Sequence, residues 1–145
     1  MVTHRMIWHR VADEGFHWSL RGIFDDGSFY GTIHFRSHNP TLSRACSVEG
    51  QLSRGDLDRF TALCGSLTFA EPLPAAAYAI LTSVAAGKDV GVFRYDRRDE
   101  ETSAQAKAFL EVKRLLDPYI DSCWSRYYPD DGCQHGLAAK RDALP

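Results

Sequence analysis

The side chains best suited to chemistry in this chain are His17, Arg21, Tyr30, His34 and Arg36. They cluster in one stretch, FHWSLRGIFDDGSFYGTIHF from Phe16 to Phe35, with Arg36 directly after it. Apolar and polar residues alternate there on both sides of Asp25-Asp26-Gly27-Ser28. An Asp-Gly pair favours a two-residue type I′ turn, because both central positions need φ > 0, which Gly accepts and Asp tolerates. A loop at Asp26-Gly27 sets Phe24 opposite Phe29, Gly22 opposite Gly31, Leu20 opposite Ile33 and Trp18 opposite Phe35, all on one face. The other face then collects Ile23 with Tyr30, Arg21 with Thr32, Ser19 with His34, and His17 with Arg36. Cross-strand Cβ atoms lie about 4.5–5.5 Å apart, so these side chains form one basic, aromatic-edged patch. Two guanidiniums and two imidazoles suit a phosphate or carboxylate, through the planar donor fork of Arg and the near-neutral titration of His. The same residues are ordinary on a solvated sheet face, and no nucleophile or carboxylate in the patch completes a catalytic set.

Other chemistry is thinner. Cys46 shares strand parity with Val48, and Cys64 closes a helical apolar stripe, so both read as small core hydrophobes. Cys123, Cys133 and His135 make a C-x9-C-x-H spacing that matches no common zinc pattern, and no metal is expected. No serine stands in a G-x-S-x-G elbow, and no cysteine has a recognisable nucleophile context. Neither a Walker sequence nor G-x-G-x-x-G occurs, so no cofactor is expected. Gly22 facing Gly31 leaves a flat gap that suits an aromatic from a helix better than a cofactor. Tyr127-Tyr128-Pro129 after Trp124 forms an aromatic cluster, with Trp124 expected in the core.

The elements that position the patch are partly legible. Residues 3 to 11 read as an opening strand, and Asp13-Glu14-Gly15 turns the chain into the hairpin. After Asn39-Pro40 a strand is expected from Leu42 to about Glu49, near a sheet edge because Arg44 shares its apolar face. Ser53 with Asp56 marks a helix start, and Leu57, Phe60, Leu63 and Cys64 form its apolar stripe before Gly65 stops it. Glu71-Pro72-Leu73-Pro74 interrupts the chain, and alanine-rich 75–86 reads as a short helix ended by Gly87. A strand follows from Val90 to Tyr95, apolar on both sides. Thr102 with Gln105 is a second capping box, opening a helix with Phe109, Val112, Leu115 and Leu116 inward and Lys107, Glu111, Lys113 and Arg114 off the stripe. Asp117-Pro118 either ends that helix or opens a last segment carrying Tyr119, Ile120, Cys123 and Trp124.

Strands followed by helices imply an α+β fold: an antiparallel sheet of about five strands built on the central hairpin, with three or four helices mainly on one face. The expected division is a single domain over 1–128 and a polar, loosely ordered tail over 129–145. Hydrophobic content of 44% with 25% charged residues is ordinary for a globular chain, which argues against wholesale disorder. A net charge of −2 argues against nucleic acid as the partner. No apolar run approaches the ~18 residues of a membrane span, and no signal peptide is visible, so a cytoplasmic setting is expected. These features suggest a non-enzymatic binding or protein-interaction module that uses a sheet face or edge, with another protein or a second copy as partner. The alternative is a small enzyme or ligand-binding protein holding an anionic small molecule on His17, Arg21, Tyr30, His34 and Arg36.

Overall fold

A computed structural model of the chain describes residues 1–8, 15–36, 39, 41, 43–71, 79–95 and 103–128. Over these residues the order is β1 (Val2–Trp8), β2 (Gly15–Phe24), β3 (Ser28–Arg36), β4 (Arg44–Gln51), α1 (Arg54–Gly65), β5 (Ala79–Ala85), β6 (Lys88–Tyr95) and α2 (Ala104–Tyr127). All strand pairs are antiparallel, in the sheet order β4-β3-β2-β1-β5-β6. The fold is therefore α+β, but with six strands and two helices among the described residues rather than about five and three or four. Neither helix is long and apolar enough to cross a membrane.

Two changes account for the difference. The segment expected as a helix at 75–86 is strand β5 over its described part. Ile80, Thr82 and Val84 place β-branched residues at period two, and β1 on one side and β6 on the other pair with it. That pairing outweighs the helix propensity of the alanines. The two helical segments expected after residue 103 are one helix, which runs through Pro118. Pro118 stands on the exposed side, where the carbonyl left without an N–H partner can turn to water. At 24 residues α2 is about 36 Å long, enough to cross strands spaced about 4.8 Å apart.

Both helices cover the same face. Trp8 stacks near Phe109, Phe16 meets Trp124 edge-on at 5.4 Å, and Phe29 meets Tyr119 at 5.8 Å, so α2 passes diagonally over the strands. Phe60 of α1 packs edge-on against His4 at 5.2 Å. The helices are joined by Tyr119, whose hydroxyl accepts from the Ser53 N–H at 3.0 Å and donates to Asp56 at 2.5 Å. The Ser53 cap is as expected, its Oγ accepting from the Asp56 amide. For α2 the cap is Ser103, accepting from the Ala106 amide, and Gln105 instead accepts from the Thr68 amide at 2.8 Å. Thr102, Leu42 and the expected tail at 129–145 lie outside the described residues.

The central hairpin departs from its expected register. Only Gly27 has a positive φ (88°) there; Asp26 does not. The Gly27 amide donates to the Phe24 carbonyl at 3.0 Å, and Ile23 pairs with Phe29. This is a three-residue loop, a turn closed by a left-handed glycine. Asp26 works as a local acceptor instead, taking the Ser28 amide at 2.9 Å and its hydroxyl at 2.6 Å. Those bonds, the hydroxyl first, lower the Asp26 carboxyl below the usual range. A second shift follows between Leu20 and Gly22, where Arg21 is an extra residue on β2, a β-bulge. Beyond it Leu20 pairs with Gly31, Trp18 with Ile33 and Phe16 with Phe35.

The bulge changes which side chains are inside. Phe16, Trp18, Leu20, Ile23, Phe29 and Ile33 are buried under the helices, together with Met6, Trp8 and Leu81. Ile23, expected on the polar face, is fully buried, whereas Phe24 packs beside Tyr30 on the other face. Gly22 and Gly31 do not oppose each other. The Tyr30 ring lies over Gly22, so the gap is filled from within the sheet rather than by a helix.

Candidate functional site

The face turned away from the helices carries the candidate residues. One continuous row crosses every strand: Arg94, Ile80, Ile7, Ser19, Thr32 and Ser47, in the order β6 to β4. On one side of it lie Arg5, Gly22, Tyr30 and Glu49; on the other lie His17, His34 and Ala45. Ile7 is 37% exposed and Tyr30 45%, while Arg21 points to solvent from the bulge. Arg5 reaches Asp89 at 2.5 Å across β5.

The residues expected to form one patch are thereby split. His17 and His34 come closer than expected: they are direct cross-strand partners, their rings stacked 8° from parallel with centroids 5.3 Å apart. His17 is wholly buried, so it offers no open ligand surface, and His34 is only partly exposed. Arg21 and Tyr30 sit beyond the Ser19–Thr32 pair, towards the turn. Arg36 pairs with Gly15 through the backbone rather than with His17. The cause is the shifted register, which moved the imidazoles opposite each other and the bulge between Arg21 and the rest.

Both sheet edges are engaged at least in part. At β6, Ala70 and Val92 exchange two backbone hydrogen bonds of 2.8 Å. At β4, the Ala45 carbonyl accepts from the Tyr128 hydroxyl at 2.8 Å, and the Glu49 carbonyl accepts from the Cys123 thiol at 3.4 Å. Arg44 lies over the Tyr128 ring at 5.5 Å, so the arginine that marked an edge strand is held by the helix end. Covering edge groups in this way blunts strand addition.

The described thiols are buried on the helix side. Burial pushes Cys46 up to about 11, with help from neighbouring Cys123 and against the pull of Arg126, and it pushes Cys64 up to about 12. Thiols held so far above neutrality stay protonated and unreactive. Cys133 and His135 lie outside the described residues.

One charged group escaped the sequence reading. Lys113, expected off the apolar stripe, is 4% exposed, lies 4.7 Å over the Trp8 ring and pairs with Asp117 at 3.1 Å. Asp121, one turn further, is buried as well. The spacing Lys113, Asp117, Asp121 was a signal in the sequence, but at i, i+4 and i+8 it reads equally as a solvated helix flank. On the helix side, clefts of about 320 and 460 Å³ share Asp56, Arg114 and Leu115, and another of about 530 Å³ lies beside the β2–β3 turn and Arg54. None of the three is lined by His17, Arg21, Tyr30 or His34. No protein-family model, curated protein or solved structure matches the chain.

Proposed function

We propose that this protein is a non-enzymatic interaction module that binds another protein through the outer face of its sheet. The observation that carries the reading is the placement of both helices on one face, opposite the row Ile80, Ile7, Ser19 and Thr32 with Tyr30 and Arg21 exposed beside it. Such a surface pairs an uncharged centre with an aromatic and an arginine, the residue types enriched where proteins bind. The engaged edges favour the face over strand addition. The raised thiols of Cys46 and Cys64 support a binding role over nucleophilic catalysis by them, and the free state of the described cysteines suits a cytoplasmic setting.

The test is to isolate the bound protein by affinity capture, purify it and measure the reconstituted affinity. Arg21→Ala, at the exposed bulge, should weaken binding at least tenfold at an unchanged melting temperature. Arg114→Ala, on the helix layer, should leave binding intact; the reverse pattern would overturn the reading. Sedimentation over a concentration series decides whether the partner is a second copy.

A further inference from the structure

We draw no further inference here: the strongest candidate, the row of Lys113, Asp117 and Asp121 along one flank of α2 beside Trp8, holds an ion pair within the helix and a cation–π contact that fastens the helix to the sheet, and nothing there marks a ligand or a reacting group.

Discussion

The hairpins β2–β3 and β5–β6 flank β1 on either side and reverse their chains by different means. At β2–β3 the Asp-Gly pair yields a three-residue loop with one left-handed residue, Gly27. At β5–β6 the loop has two residues, Ala86 and Gly87, both with positive φ (52° and 76°), the requirement of a type I′ turn. The turn expected from Asp-Gly thus occurs where the sequence offers Ala-Gly. At the first site the Asp26 carboxylate has Ser28 to bind, and Leu52 donates to the Gly27 carbonyl at 2.9 Å, so side-chain and tertiary bonds select the longer loop. At the second, strand pairing forces an alanine into the left-handed region. Each hairpin also carries one extra residue, Arg21 on β2 and Val90 on β6, and both extra residues face solvent. On β6, Phe93 and Tyr95 reach Phe109, Val90 is 56% exposed, and Val92, on the side opposite Phe93, is buried where the strand pairs with Ala70. Turn type is therefore decided by what the loop can bond to, more than by its best dipeptide.

The largest effect should come from the better-packed hairpin. Trp18 is 1% exposed between Trp8 and Ile33, so Trp18→Ala should lower stability by about 3–5 kcal/mol in equilibrium denaturation. A midpoint that hardly moves would place Trp18 outside the core and break the register of β2–β3.

The bulge itself can be tested at Gly31. A Cβ there would fall against the Ser19 carbonyl oxygen and the Leu20 Cα, backbone atoms that cannot swing aside. Gly31→Ala should destabilise by about 1–3 kcal/mol. Gly22→Ala meets the flexible Tyr30 ring instead and should lose less; equal losses would mean that the close approach of backbones is not what singles out Gly31.

A gain is expected at the other hairpin. Left-handed backbone costs an ordinary residue roughly 1–2 kcal/mol, and asparagine tolerates it better. Ala86→Asn should therefore raise stability by about 0.5–1 kcal/mol, whereas Asp26→Gly, at a position without positive φ, should raise it not at all. Melting curves of both variants would sharpen the contrast or erase it.

The smallest effect concerns β1, the strand shared by both hairpins. Burial against Phe60 and Phe69 lowers the His4 imidazole below the ordinary histidine value of about 6.5. The unfolded chain then takes up the proton first, so this contribution is complete above about pH 6.5 and is lost as pH falls through the lowered folded value. Comparing wild type with His4→Phe across pH 7 to 5 should show a shallower decline in the variant, and identical slopes would remove His4 as the cause.

What the sequence determined by itself was local. Alternation around Asp25–Ser28 implies a hairpin with an aromatic core face, Ser53 and Asp56 imply a helix start, and Arg44 implies an edge strand; each depends only on neighbours a few residues away. The patch of His17, Arg21, Tyr30, His34 and Arg36 was legible as belonging to one ribbon, but its arrangement was not. The three-residue loop set Ile23 opposite Phe29, the Arg21 bulge added the second step that brought His17 opposite His34, and a bulge is set by the fit of β2 to β1 and β3 together. Tertiary structure alone also decided that 79–85 pairs as a strand and that Lys113 lies buried over Trp8. Strand pairing and desolvation are energies of contact between distant segments, which no window of sequence contains.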